Sequence, residues 1–329
     1  LFIIFYKKKK LDLKNFYQTL FITFIIILLN SENSPTYDTQ LYHHQLLNWN
    51  YNYKIPLNLI ALDNRMGMIS PWQLFLSVGN FKILDSYIAL LFNFIPVFLL
   101  INHTLNSTND KNKISYRFIN ISSIFILIFS LVHPFKNGII MMHLGSLGTE
   151  LPSMIFFVLT IYFFLKFLEN ESYKNYQHIL ILSILTVFCR ISYLPILFLP
   201  VFILFKNKNF FYNFNLNLIV LSSTLLWLTR SLVNNGCLIF PVKFTCLSFN
   251  NYTSLEKIEL YSNIVKSFAR TAPDQKNFMD LDFSINTFQW FLPWLKNYFF
   301  TTSLIQISFV LTILLLIPFF FKTHKDIKK

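Results

Sequence analysis

Five ionisable side chains in this sequence have types suited to group transfer at a phosphate: Asp38, Arg65, Glu150, Arg190 and Arg230. A carboxylate takes the proton of an attacking hydroxyl. Arginine offers a planar fork that holds phosphate oxygens and stabilises the negative charge developing on a leaving group. One base on one side of an anomeric carbon and arginines on the other give in-line displacement with inversion, without a metal. The five are widely spaced, so only the fold can gather them. Each also has a plainer role. Asp38 can cap a helix or stand solvated, and Arg65 can anchor a turn with Asp63 in D-N-R-M-G-M. Glu150, just before Leu151-Pro152, suits a helix start, and Arg230 can snorkel from a helix end. Arg190 is harder to explain this way, because it interrupts an apolar run, where a charge is costly without a partner.

The densest polar stretch runs from Pro35 to Trp72. Ser34 followed by Pro35 is a good helix start, since proline at the first helical position wastes no hydrogen bond. In the helix that follows, Asp38, Tyr42, Gln45 and Trp49 share one face by spacing. A carboxylate, a phenol, an amide and an indole on one stripe suit a sugar-binding surface beside a membrane, and equally suit a helix lying in the headgroup layer. His43 and His44 are adjacent and cannot both face one point on a helix. Without a ligand cluster no metal site is expected, and no phosphate-cradling glycine loop supports nucleotide hydrolysis.

Those residues sit in a strongly apolar chain. Of 329 residues 54% are hydrophobic, 40 are Phe, and only 13% are charged, about half the usual share. Mean hydropathy is +0.49. The composition predicts an all-α polytopic membrane protein. The net charge of +13 does not point to nucleic acid, because most basic residues flank apolar segments and so act as orientation signals. Lys7–Lys10 before the first apolar run resembles a signal peptide without a small-residue cleavage site, and is taken as the start of an uncleaved span. The three cysteines have no metal-site spacing. Cys237 and Cys246 can pair if their loop faces an oxidising compartment, whereas Cys189 reads as a buried thiol.

Apolar segments fall at about 16–30, 84–102, 117–133, 151–168, 178–190, 191–205, 215–230 and 302–321. The 178–205 run is either one overlong span or two short helices with Arg190 at their turn. With the turn, sixteen of the 28 basic residues lie on one side, among them Lys14, Lys113, Arg117, Lys166, Lys174, Lys206 and Lys208. A single span would move Lys206 and Lys208 across and break the pattern. Eight spans with both termini cytoplasmic are therefore expected. The outer face then receives a first loop with a juxtamembrane helix at 31–83, a connection at 134–150, the Arg190 turn and a large loop at 231–301. Within that loop an interfacial aromatic element lies near 288–299.

Four stretches carry a resemblance. They are Y-D-T-Q-L-Y-H-H-Q at 37–45, D-N-R-M-G-M-I-S-P-W at 63–72, T-E-L-P-S at 149–153 with C-R-I-S-Y-L-P at 189–195, and T-R-S-L-V-N-N-G-C-L-I-F-P at 229–241. With them the chain resembles the GT-C superfamily of polytopic glycosyltransferases that use polyprenyl-phosphate sugars, and within it a bacterial family of largely unassigned function. The resemblance implies one membrane domain over 1–329 of GT-C-like architecture, with its site on the outer face of the bacterial inner membrane. It places the catalytic base at Asp38 and phosphate contacts at Arg190 and Arg230, with Arg65 touching the donor or supporting its loop. Tyr42, His43, Gln45, Trp49 and Glu150 would line the substrate. The partners implied are a polyprenyl-phosphate-linked sugar donor, a glycan, lipid or protein acceptor, and the bilayer; no cofactor and no nucleic acid is expected. Two other readings stand beside this one. A transporter or flippase of lipid-linked saccharide would spread polar residues through its spans, and a non-catalytic membrane subunit of envelope glycan assembly would tolerate substitution of Asp38 and Arg190.

Overall fold

The computed structural model describes residues 13–30, 38–53, 59–61, 63–68, 70–79, 92, 94–107, 113–131, 146–207, 209–210, 214–247, 254–271 and 288–294. The Ser34-Pro35 helix start, Lys7–Lys10, the first part of the expected 84–102 span, most of the 134–150 connection and the 302–321 span lie outside them. The described residues are mostly helical, with no β-strand among them. The chain clusters into two compact units, 1–235 and 236–329.

The first unit is built on an antiparallel hairpin of two apolar helices, α6 (Glu150–Glu169) and α7 (Tyr173–Cys189). Local chemistry sets its ends. Glu150 in the first turn and Lys166 in the last complement the α6 dipole. Pro152, still within the first turn, removes no helical hydrogen bond. Ser172 caps α7 by accepting the Asn175 N–H at 3.3 Å. The buried residues of the pair include Leu151, Ile155, Phe156, Leu159, Tyr162, Tyr176, Ile179 and Leu182. Because α7 runs back along α6, the start of one and the end of the other meet at the same end of the pair.

At that end the backbone of Arg190 is extended (φ −151°, ψ 116°), and the helix stops. A 3₁₀ segment (Ile191–Leu197) and α8 (Phe198–Lys206) then return along α7. At the far end Lys206 forms an ion pair with Glu171, and the Asn207 amide donates to the same carboxylate at 3.4 Å. The two legs match in length. Seventeen residues of α-helix rise about 25 Å, and seven 3₁₀ plus nine α residues rise about 27 Å. Of the two arrangements the sequence allowed, the fold takes the broken one, and Lys206 lies beside Glu171.

The other helices alternate around this pair. The first, α1 (Leu13–Asn30), meets α4 (Phe94–Asn106) where Asn15 donates to Asn106 at 3.1 Å. Thr104 of α4 and Ser123 of α5 (Ile114–Leu131) share a hydroxyl contact of 2.7 Å. The start of α5 is tied to the end of α6, because both the N–H and the hydroxyl of Ser115 donate to the Glu169 carboxylate at 3.0 and 2.8 Å. The last helix of the unit, α9 (Phe214–Asn235), rests Trp227 against Phe188 of α7 at 5.5 Å. By length and composition α6 and residues 216–235 of α9 could each cross a membrane. Much of α9 is covered by nothing in the unit; Leu218, Ile219, Leu221, Leu225 and Leu226 are exposed, as are Leu20, Phe21, Phe24 and Ile25 of α1.

The second unit begins at Gly236, whose φ of 73° is open to glycine at no steric cost. A disulfide joins Cys237 and Cys246 across a short antiparallel loop. Within the loop the Leu238 N–H donates to the Thr245 carbonyl at 3.0 Å and the Leu247 N–H to the Gly236 carbonyl at 2.8 Å. Lys243 pairs with Glu259 of α10 (Leu255–Thr271), and Phe240 stacks on Tyr261. Arg270 lies 4.8 Å over the Trp290 ring, just before the short α11 (Phe291–Trp294). The pairing that the sequence left open is therefore made, and Cys189 is the buried free thiol. In denatured but unreduced protein a thiol-alkylating reagent should add once, at Cys189, and three times after reduction. Three additions before reduction would show that Cys237 and Cys246 are not joined.

Candidate functional site

The polar segment 38–79 closes on itself through a small core. Its helix opens with a π-turn (Thr39–His43) and continues as α2 (His44–Asn52). A π-turn has wider i→i+5 bonding, so Asp38 does not keep the α-helical phase that spacing alone assigned to it. Tyr42, Leu46 and Trp49 form the stripe that packs inward, on Met66, while Gln45 is exposed. His43 is buried with its ring edge-on to Tyr42 at 4.4 Å, and its Nδ1 has no partner. Burial, and then the neighbouring His44, lowers its pKa to about 4, so it is neutral near pH 7. His43 thus belongs to the interior of the segment.

Arg65 locks the other side of that core. Asp63 accepts the Arg65 N–H at 2.8 Å and its Nε–H at 3.3 Å, closing the 3₁₀ turn Asn64–Gly67. The Arg65 guanidinium also lies 5.5 Å over the Tyr42 ring, a contact of about 0.5–1 kcal/mol at a partly exposed position. The turn leads into α3 (Pro71–Val78), which starts with a capping box between Ser70 and Gln73. Trp72 then packs edge-on against Phe156 of α6 at 5.9 Å, fixing the segment to the hairpin.

This places Asp38, Arg65, Glu150 and Arg190 in one electrostatic group. Arg190 Nη1 lies 3.5 Å from Glu150 Oε1. The Glu150 carboxylate also accepts from the backbone N–H groups of Thr149 and Glu150, and lies within electrostatic range of Asp38. Asp38 in turn feels Arg65; partial burial raises its carboxyl pKa above the usual value and Arg65 opposes the rise. With side chains 49% and 22% exposed, the Arg190–Glu150 pair contributes at most about 1 kcal/mol to stability. Its significance is positional. Two carboxylates and two arginines, drawn from four parts of the chain, lie within electrostatic range in a series from Arg65 through Asp38 and Glu150 to Arg190. Burial raises both carboxyls, with Arg65 opposing the rise at Asp38 and Arg190 opposing it at Glu150, an arrangement that can accept a proton while an anion is held close by.

Three residues of this group were not singled out from sequence. The Tyr193 hydroxyl bonds with Ser153, and Tyr193 lies within range of both Arg190 and Glu150. Ser153 also donates to the Glu150 carbonyl at 2.9 Å. Gly148 leaves the room that the Glu150 carboxylate occupies: a Cβ there would stand 2.3 Å from Glu150 Oε2 and 2.9 Å from Ser146 Oγ. All three lie within or beside the stretches that carry the resemblance, yet their roles depend on a contact between segments 40 residues apart.

Arg230 stands apart from the group. Its Nη2 donates to Asn50 Oδ1 at 2.7 Å, and five residues later Asn235 donates to the Gly67 carbonyl at 2.7 Å. These bonds tie the end of α9 to α2 and to the Arg65 turn. Arg230 Nε, Asn234 Oδ1 and Asn235 Oδ1 are buried without a partner, each at a cost of about 1–3 kcal/mol. Among the described residues no group of three or more His, Cys, Asp or Glu could hold a metal ion.

The close approach at Gly148 generates a test. Gly148→Ala should push the Glu150 carboxylate off the helix start and away from Arg190 without opening the core, since only side-chain ends must move. The variant should therefore insert and purify like the wild type, with a melting temperature within a few degrees. Whatever activity depends on the Glu150–Arg190 pair should fall as far as it does in Glu150→Gln. Full activity in both variants would remove the pair from the site.

No curated protein and no solved structure matches the chain. One family model does, over its whole length, so by residues 1–329 the chain belongs to the family described as Domain of unknown function (DUF8201).

Proposed function

We propose that this chain is a membrane glycosyltransferase of GT-C-like architecture, moving a sugar from a polyprenyl-phosphate donor to an acceptor hydroxyl on the non-cytoplasmic face of a bacterial inner membrane. The observation that carries the reading is the group formed by Asp38, Arg65, Glu150 and Arg190. Asp38 takes the proton of the acceptor hydroxyl, whose oxygen forms the new bond to the anomeric carbon. The bond from that carbon to the phosphate oxygen breaks on the opposite side, and the leaving lipid phosphate takes the bonding electron pair and gains one negative charge. Arg190 holds that charge, exchanging the Glu150 carboxylate for phosphate oxygens, and Arg65 supports the loop beside the donor. Tyr42 and Trp49 pack on Met66 and shape the segment from within, and Gln45 offers the exposed polar group to the substrate.

The topology that goes with this reading has eight spans and both termini in the cytoplasm. It is supported by the hairpin that returns Lys206 to Glu171, which keeps the flanking basic residues together. It is also supported by the disulfide two residues after α9, a bond that persists in oxidising compartments. Single cysteines at positions 38 and 192, in a cysteine-free background, should both be labelled in intact cells by a membrane-impermeant reagent. Labelling of position 38 alone would remove Arg190 from an outer site and favour a transporter of lipid-linked saccharide.

The chemistry is tested at Asp38. Asp38→Asn should lower transfer by about 100- to 10,000-fold, the range for loss of a general base, while the protein remains inserted. Stability should move the other way. The folded-state pKa of Asp38 is raised by burial from an ordinary value of 3.8, so the fold prefers the protonated acid, and ionisation near pH 7 costs stability. The Asn variant should melt no lower than the wild type at neutral pH, with any gain shrinking on acidification and gone below about pH 3.8. Wild-type transfer should fall as pH drops through that raised value. Full transfer by Asp38→Asn would sink the assignment.

A further inference from the structure

The outer end of α9 carries polar chemistry that the Asp38–Arg190 group does not use. Arg230 and Asn234 are one helical turn apart on the same face, and Asn235 follows. Arg230 is bonded to Asn50 of α2 and Asn235 to the Gly67 carbonyl, while one donor (Arg230 Nε) and two acceptors (Asn234 Oδ1, Asn235 Oδ1) are left without partners. Asn234 and Asn235 are each 1% exposed. A buried donor or acceptor without a partner costs more than a typical hydrogen bond contributes. Here three such atoms gather at the seam between α9 and α2 beside the two bonds that join it, so a ligand that satisfies all three gains free energy there.

The atoms specify what that is. Two amide oxygens can only accept, so the ligand must donate twice, and Arg230 Nε–H requires that it accept once. Hydroxyl-bearing molecules do both. An ionised lipid phosphate ester has no proton to give the two oxygens, the inorganic dianion has only one, and either would also sit at the negative end of a 22-residue helix dipole. Two aromatic residues follow Asn50 in the chain, Tyr51 within α2 and Tyr53 just past its end, and they are 39% and 64% exposed, open for a sugar ring to stack on. We infer that the seam formed by Asn50, Arg230, Asn234 and Asn235 is a saccharide subsite that binds a neutral, hydroxyl-rich sugar unit and not the donor phosphate. This departs from the sequence-based expectation that Arg230 holds phosphate. It deepens the transfer reading by giving the acceptor glycan a place next to the Asp38 segment, and rests on that reading for the word acceptor only.

The test measures binding, without requiring turnover. Methyl glycosides of glucose, mannose and N-acetylglucosamine are added to detergent-solubilised protein, and saturation-transfer NMR reports contact with the sugar protons. The wild type should show contact that 10 mM inorganic phosphate does not displace. Asn234→Leu should weaken it by about tenfold or more, the loss of one good hydrogen bond, and Asn234→Asp, which keeps the acceptor, should retain it. Monodisperse elution of both variants checks folding, and Tyr53→Ala offers a second, surface variant that should weaken contact without touching the seam. Absence of contact for all three glycosides, unchanged contact in both Asn234→Leu and Tyr53→Ala, or displacement by phosphate would overturn the inference. Asp38→Asn separates the two proposals, since it should lose transfer and keep glycoside contact. If the wild type binds glycosides and transfers nothing, only the transfer reading fails.

Discussion

The antiparallel pairing of α6 and α7 is the constraint on which the rest of the first unit depends. Two apolar helices of nearly equal length, joined by a three-residue connection, bury their facing sides against each other from Leu151 to Leu182. That geometry puts Glu150 and Arg190, 40 residues apart, at one end, and Glu169 and Glu171 at the other. The polar groups are then sorted by the apolar ones. Charges excluded from the packed interior collect at the ends, where each finds a partner from a neighbouring helix.

The pairing also explains why the 38–79 segment holds its position. Among its described residues Leu46 and Met66 form a small cluster with Tyr42 and Trp49 around it, and so small a core gives the segment little stability alone. It is fixed from two sides, by Trp72 against Phe156 and by the hydrogen bonds from Arg230 and Asn235. Asp38 approaches Glu150 because of these attachments. The ion pairs at this end are partly exposed and contribute little to stability, so their arrangement is set by the apolar packing beneath them.

Glu150 links the local and the long-range chemistry. As the first residue of α6 it satisfies backbone N–H groups that a helix start leaves open. The same carboxylate meets Arg190, and the space for it exists because position 148 has no side chain. A residue that reads plainly as a helix-start acid is also a member of the charged group. The plain reading of Arg65 is likewise correct, since Asp63 does close its turn, and yet Arg65 also reaches Tyr42 and Asp38.

By itself the sequence determined the features that depend on neighbours along the chain. The helical character follows from long apolar runs, and the break at Arg190 from the cost of a charge within one. The return of Lys206 follows from the grouping of basic residues, and the turn at Asp63–Arg65 from a short polar motif. The tertiary structure alone decided what depends on segments meeting. It brought Glu150 to Arg190 and Asp38, added Tyr193, Ser153 and Gly148, made the Cys237–Cys246 bond, and drew Arg230 away to Asn50. The π-turn, which shifts Asp38 out of the α-helical phase, belongs with these. The physical reason is that turn chemistry, capping and the cost of an isolated charge act over a few residues, whereas which charges share a site is set by packing between helices. Packing depends on the shapes of whole apolar faces, and those are not legible in residue spacing.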